Sequence, residues 1–392
     1  MGTHSKLTFA PLCYIGCGAV CRLSDEVNKH GAKRVLLIAD PILVKLGTAS
    51  RIAAQVEGPA CSVDVFADVT PEPSLELGER LIEHTRSGKY DFVVGLGGGS
   101  ALDLAKLAAV LSGNVGKAAD YLNLSASRRI AHKGLPKVLI PTTSGTGSEV
   151  TNIAVLSLDH TKDVVVHDYL LADAAIVDPE LTLTVPPRVT AATGMDALTH
   201  AVEAYLSVSA TPATDALALH AVRLIGRSLR RAVQDGAYLP AREEMSQASF
   251  MAGLAFFNAG VAGVHALAYP LGGQFHLPHG EANAVLLPYV MRHIASSCRG
   301  RMTDLRHALD PGSVFQPDAE APEPFVAQLH NLIKDIGLPE RLEAWNIAER
   351  DLAGLADDAC KQTRLLARSP MPLGRDDIYA IYKAACDGPA KE

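Results

Sequence analysis

The chain has 392 residues, a length that suits two or three domains at about 150 residues each. Hydrophobic residues make up 48% and charged residues 20%, the composition of a folded globular protein with a large core and not of a disordered chain. The net charge of -7, from 36 Lys+Arg against 43 Asp+Glu, argues against a nucleic-acid or anionic-membrane partner, and no run of about 20 apolar residues marks a transmembrane helix.

The polar start, Met1 to Lys6, carries no signal-peptide pattern, and the expected compartment is the cytoplasm. Seven cysteines cannot all pair; they read as reduced, mostly buried thiols. Cys13, Cys17 and Cys21 are evenly spaced, but Gly16 and Gly18 break any helix that would align them.

The first half alternates between strands and helices. Apolar runs at Val35–Asp40, Phe92–Leu96, Val138–Ile140 and Ala175–Val177 read as buried strands, with helices at Leu75–His84 and Ala101–Leu111. This pattern predicts an α/β domain with a mainly parallel sheet, residues 1–186. After Pro186-Pro187 the chain reads as helices, at Thr190–Leu206, Thr214–Ala232, Arg242–Ala255 and Val326–Ile336, which predicts an all-helical domain over 187–392. Asp310–Pro324, rich in Pro, Asp and Glu, reads as an exposed loop.

Two loops in the first half suit a nucleotide. In Gly97-Gly98-Gly99-Ser100, a strand runs into glycines and then a helix, where backbone N–H groups can face an anion. Ser100 and Asp103 have the spacing of a capping box for that helix. The run departs from the Rossmann GxGxxG, because Ser100 stands at its last glycine, and a tight turn would use the same glycines. Pro141 to Glu149 is a second post-strand loop, dense in hydroxyls and glycine, as either a ligand loop or a surface loop would be. Asp40 ends a strand, where a carboxylate can accept from an adenosine ribose and repel a 2′-phosphate, or simply shape the turn before Pro41.

The helical half holds the other constellation. Asp196 and His200 are four apart, on one helix face, and can bind one divalent ion. His265 and His279 complete a mixed N/O donor set that suits Fe²⁺ or Zn²⁺. Each histidine alone also fits a core or capping role. His276 lies three residues before His279 and is a candidate for the same cleft, and Phe256, Phe257 and Phe275 are candidate wall residues or ordinary core aromatics.

Together, Gly97-Gly98-Gly99-Ser100 with Asp103 and Lys106, the run Pro141–Glu149, Gly194-Met195-Asp196 with His200, and His265 with His279 resemble the iron-containing (group III) alcohol dehydrogenase family. The likeness runs from near residue 7 to near residue 385. It implies a dinucleotide-binding α/β domain, a helical metal domain and an active site between them. It also implies metal ligation, commonly of Fe²⁺ and alternatively of Zn²⁺, by Asp196, His200, His265 and His279. The resemblance puts NAD contacts at Asp40, Gly98, Gly99, Ser100, Asp103, Thr142, Thr143, Thr151, Lys162 and Leu181, and it implies a homo-oligomer.

Two positions depart from the family. Glu72 stands in Pro71-Glu72-Pro73 where Asn is common, and Tyr269 stands where alcohol-oxidising members often carry His. Tyr269 resembles the hydroxyacid–oxoacid transhydrogenase branch; with His276 it is the candidate proton relay, and a phenol, with its reference pKa of about 10, relays protons less readily at neutral pH than imidazole. The implied function is hydride transfer between NAD(H) and a small alcohol or aldehyde, including one bearing an acid group. The alternatives are a transhydrogenase that needs no free NADH and a non-catalytic NAD-binding sensor. A maleylacetate-reductase-like enzyme fits less well, because all four metal positions are present.

Overall fold

The computed structural model describes residues 5–158, 161–310, 312 and 323–389. The chain folds as two units, one of Phe9–Thr182 and one of Leu183–Glu392 that also takes in the residues before Phe9. The expected border at 186 thus differs by a few residues, and residues 5–8 leave the α/β unit. Thr8 explains the latter: its N–H donates to Asn258 Oδ1 at 2.7 Å and its carbonyl accepts from Asn258 Nδ2 at 3.0 Å.

The first unit is built on β1 (Cys13–Ile15), α1 (Leu23–Lys29), β2 (Arg34–Ala39), α2 (Pro41–Lys45), α3 (Thr48–Ala53), β3 (Ser62–Phe66), α4 (Leu75–Gly88), β4 (Phe92–Gly97) and α5 (Gly99–Leu111). It continues through β5 (Lys137–Pro141), β6 (Ile153–Ser157), β7 (Lys162–Val166) and β8 (Ala174–Val177). Six strands form one parallel sheet in the order β1-β8-β5-β4-β2-β3, and β6 and β7 form a separate antiparallel hairpin.

Both sheet faces are covered, as the apolar runs require. Val35 and Leu37 of β2 join Val94 and Val138 in one core, against Leu23 of α1 and Ile52 of α3. Leu36 and Ile38, pointing the other way, join Val93 and Leu139 against Leu102 and Ala105 of α5. From β2 the chain continues to β3 on one side, and from β4 to β5 on the other. The carboxyl ends of β2 and β4 therefore lie at a topological switch point, where open α/β sheets bind ligands.

The second unit contains no strand among its described residues. Its helices are α6 (Pro187–Leu206), α7 (Pro212–Gln234), α8 (Leu239–Ala259), α9 (Gly263–Phe275), α10 (His279–Ile294), α11 (Arg299–Leu309), α12 (Glu323–Asp335), α13 (Glu349–Ala359), α14 (Thr363–Leu366) and α15 (Arg375–Asp387). Pro187 opens α6, where a missing N–H costs nothing. Leu198 and Val202 of α6, Ile225 and Leu229 of α7, Met245 of α8 and Leu286 of α10 share one core. The proposed loop at Asp310–Pro324 lies largely outside the described residues, and its last two, Glu323 and Pro324, begin α12.

No single helix among the described residues is long and apolar enough to cross a membrane. None of the seven cysteines is in a disulfide. They are not mostly buried, however: Cys298 and Cys386 are, while Cys17 and Cys21, in the turn after β1, are exposed.

Candidate functional site

The metal-donor residues converge in the helical unit. Asp196 and His200 occupy one face of α6, His265 lies in the first turn of α9, and His279 begins α10. Gly280 lets α10 start this close to α6, because a Cβ there would stand 2.2 Å from the Ala192 carbonyl oxygen.

Asp196 Oδ1 lies 3.9 Å from His200 Nε2, 3.9 Å from His265 Nε2 and 3.7 Å from His279 Nε2. The donor atoms of Asp196, His265 and His279 all lie within 4.8 Å of one another. Ligands bonded at about 2.0–2.2 Å around one tetrahedral ion stand roughly 3.3–3.6 Å apart. The observed spacing is wider, so these three donors fit a divalent cation after contraction; His200 comes within 3.9 Å of Asp196 but is not part of the trio whose donor atoms all lie within 4.8 Å of one another. The side chains of Asp196, His200 and His265 are buried, whereas His279 is 28% exposed, so the group opens on the His279 side. Burial pushes the Asp196 carboxyl up, but His200, His279, His265 and the Asn283 amide outweigh it and hold it below the usual carboxylate range.

Aromatic rings brace the group. Phe256 stacks on His200 with ring centroids 4.2 Å apart, and His200 stacks on His265 at 4.7 Å. Tyr269 is buried one turn beyond His265, with its ring 6.1 Å from that of His279.

His276 is not brought to this group. It ends α9 in the left-handed conformation, φ 54°, and is exposed. Among the described residues it makes no hydrogen bond, ion pair or ring contact with the donors. The physical reason is that α9 stops at Phe275 and α10 starts only at His279, so three residues of separation do not place His276 and His279 on one helix face.

Two residues that the sequence pattern did not single out complete the site. Glu203, on the same stripe of α6, receives His265 Nδ1 at 2.6 Å. Asn283, one turn into α10, has its Nδ2 2.8 Å from Asp196 Oδ1 and 3.3 Å from both His265 Nε2 and His279 Nε2. Its fully buried Oδ1 accepts no hydrogen bond among the described residues. Helical phase was the available signal: Glu203 follows His200 by three residues, and Asn283 follows His279 by four.

The first unit presents the other candidate site. Asp40 follows β2, and its Oδ2 accepts from Gly98 N at 3.0 Å across the ends of β2 and β4. Burial raises the Asp40 carboxyl, and the Gly98 N–H opposes that. Gly97, at φ 151°, is required here: a Cβ would stand 2.3 Å from Asp40 Oδ2. No side chain caps the first turn of α5, which leaves its backbone N–H groups to an anion. Gly98, Gly99 and Ser100 start that helix, and Thr142 and Thr143 follow the neighbouring β5. This surface fits the phosphates of a dinucleotide.

The expected capping box is absent. The residue capping α5 is Gly98, and Ser100 Oγ instead accepts from the Glu72 N–H at 3.2 Å. Asp103 turns inward and receives Ser148 Oγ at 2.5 Å and Val155 N–H at 2.9 Å. Lys106, fully buried, draws it there; Nζ reaches Asp103 Oδ1 at 3.2 Å, Ser148 Oγ at 2.7 Å, Thr151 Oγ1 at 3.1 Å and the Ile153 carbonyl at 2.7 Å. Asp103 and Thr151 thus share a buried hydrogen-bond network with Lys106 and Ser148 that braces the loop after β5. Burial pushes the Lys106 ammonium down, against Asp103 and Glu149, and pushes the buried Glu149 carboxyl up to about 7, against Lys106.

Lys162 is also engaged, donating to Glu72 Oε1 at 2.7 Å, with Glu72 held at φ 51°. The extra carboxylate of Pro71-Glu72-Pro73 is thus spent on Lys162. Leu181 is buried in the turn Pro179–Thr182 that follows β8.

A dinucleotide surface at a sheet switch point, on a chain that also carries an Asp/His metal set, defines a metal-dependent nucleotide-linked oxidoreductase. Comparison with known proteins makes this specific. Residues 11–179 match the model of the iron-containing alcohol dehydrogenases, and residues 190–386 match that of the C-terminal region of the Fe-containing alcohol dehydrogenase family. The chain belongs to the iron-containing alcohol dehydrogenase family.

Among its relatives, "Long-chain-alcohol dehydrogenase 1" of Geobacillus thermodenitrificans (strain NG80-2) is 59% identical over 98% of this chain and 97% of its own length. A solved 1,3-propanediol oxidoreductase superposes with TM-score 0.92 at 34% identity, covering 98% of this chain and 100% of its own. Sulfoacetaldehyde reductase from Bifidobacterium kashiwanohense, solved in complex with NAD⁺, gives TM-score 0.88 at 31% identity over 98% of this chain and 99% of its own.

Proposed function

We propose that the chain reduces aldehydes and oxidises primary alcohols with an apolar chain, using NAD(H) and a divalent metal held by Asp196, His200, His265 and His279. The carrying observation is this donor set in a chain 59% identical to a long-chain-alcohol dehydrogenase. Phe256, laid flat on His200, supports an apolar chain beside the site. A bound Fe²⁺ or Zn²⁺ supplies Lewis-acid chemistry at the substrate oxygen, and NAD(H) supplies the hydride.

The chain's own residues do the rest. Asp196, held ionised by its neighbours, is an anionic ligand at neutral pH. Glu203 keeps the His265 ring turned with Nε2 toward Asp196. Tyr269, whose ring lies 6.1 Å from that of His279, is the candidate for moving the proton. The uncapped turn of α5 orients the pyrophosphate, and Asp40 favours a free ribose over a 2′-phosphate.

The test is NADH oxidation by anaerobically Fe²⁺-loaded protein on straight-chain aldehydes of increasing length, on semialdehyde acids and on 2-oxo acids, each with and without chelator. Chelator-sensitive turnover that improves with chain length supports the reading. Turnover confined to acids overturns the substrate class. Tyr269 in place of His favours a second reading, the hydroxyacid–oxoacid transhydrogenase, in which hydride exchange between the two acids continues without added NADH. We also infer a cytoplasmic homo-oligomer acting on a small molecule. Seven cysteines without a disulfide support a reducing compartment, and the oligomer rests on the family resemblance.

A further inference from the structure

We infer that Glu203 is the positioning residue that fixes the ring proton of His265 and thereby sets the metal affinity of the site. This rests on the metal-site reading above. Asp196, His200 and Glu203 follow one another at intervals of four and three residues on α6, so they share one stripe.

Glu203 is buried, and both carboxylate oxygens are engaged. Oε1 accepts from the Val264 N–H at 2.6 Å; Oε2 accepts from the Ala262 N–H at 3.0 Å and from His265 Nδ1 at 2.6 Å. Those backbone groups lie at the start of α9, where Ala262 has no side chain able to cap. One carboxylate therefore closes the end of α9 and grips the ring that α9 carries.

The grip has a chemical consequence. An imidazole nitrogen 2.6 Å from a carboxylate oxygen carries the proton, because a carboxylate only accepts. The neutral ring then has its lone pair on Nε2, the atom that faces Asp196 Oδ1 at 3.9 Å. A glutamine at 203 would offer one acceptor oxygen to three N–H donors, and its NH₂ would find donors where acceptors are needed. The cheapest repair moves the His265 proton to Nε2, which takes its lone pair away from a cation. Outer partners of this kind are worth about 10–100-fold in metal affinity.

The experiment compares wild type, Glu203→Gln, Glu203→Asp and Asp196→Ala as full chains. Zn²⁺ affinity is read by competition with a chromogenic chelator, metal-free stability by urea unfolding, and the His265 tautomer by ¹⁵N NMR. Glu203→Gln is expected to weaken Zn²⁺ binding by about 10–100-fold on a fully folded baseline, with loss of the Nδ1–H tautomer. Glu203→Asp, which keeps the charge and both oxygens, is expected to bind more tightly than Glu203→Gln.

Wild-type affinity in Glu203→Gln overturns the inference. So does an equal loss in both variants that only tracks a fall in metal-free stability, since that is a helix cap and nothing more. Asp196→Ala separates the two layers. If it keeps Zn²⁺, the metal-site reading fails; if it loses Zn²⁺ while Glu203→Gln does not, only the role of Glu203 fails.

Discussion

Asp40 and Gly98 are tied by a 3.0 Å hydrogen bond between a side-chain oxygen of one and the backbone N–H of the other, across the carboxyl ends of two adjacent strands. The bond places a carboxylate beside the turn that opens α5, and in the function proposed above that carboxylate repels a 2′-phosphate.

The first prediction follows from that charge. Asp40→Ala removes the repulsion and also releases the Gly98 N–H. We expect the kcat/KM ratio of NADP(H) to NAD(H) to rise by at least about tenfold, the equivalent of about 1.4 kcal/mol. Initial-rate kinetics with the two cofactors check this; an unchanged ratio means that Asp40 does not discriminate.

Lys106 gives a second prediction. Its buried ammonium faces Asp103 and holds Ser148, Thr151 and the Ile153 carbonyl in place. Replacing it with Met leaves buried acceptors and a carboxylate without their cation, a loss of about 3–5 kcal/mol. Urea unfolding should show that loss, and NADH titration should show weaker binding, because the cluster supports the hydroxyl-rich loop after β5. An unchanged unfolding midpoint would contradict the role given to Lys106.

A third concerns pH. The Glu149 carboxyl, raised by burial to about 7, favours its proton in the folded state more than in the unfolded one. Its stabilising contribution is therefore complete below the ordinary carboxylate pKa and is lost as pH rises through 7, at a rate of at most about 1.4 kcal/mol per pH unit. Glu149→Gln should match wild type near pH 5 and exceed it near pH 8. Denaturant unfolding across that range checks the divergence, and parallel curves would contradict it.

Tyr269 carries a fourth. Tyr269→His installs a group that titrates near pH 6.5 beside His279, so the pH profile of kcat should gain an inflection between about 6 and 8. His276→Ala, at an exposed helix end, should leave the profile unchanged. A profile that moves with His276 and not with Tyr269 would reverse their roles.

Much of this was legible in sequence, for reasons the packing explains. The runs that became β2, β4, β5 and β8 lie in a sheet covered on both faces, so they are continuously apolar. By contrast, β1 has three residues and β3 is a half-exposed edge, so neither carries that signature. Asp103 misled because spacing suggests a cap but says nothing of a buried lysine competing for the same carboxylate. The placing of His276 is not legible in sequence, because three residues of separation imply a shared face only within one helix, and α9 ends at Phe275 before α10 begins at His279. Glu203 and Asn283 carry the right helical spacing to His200 and His279, but an acid or an amide three or four residues from a histidine is common, and only the packing of α6, α9 and α10 shows that they meet the donors.

The most direct test of the central claim, that Asp196 and its three histidines hold the catalytic cation, is the metal content and turnover of Asp196→Ala beside wild type after identical loading and desalting. Wild type should hold about one ion per chain and the variant almost none, with a loss of turnover of at least about 10³-fold. A variant that keeps its full metal content and its turnover would contradict it.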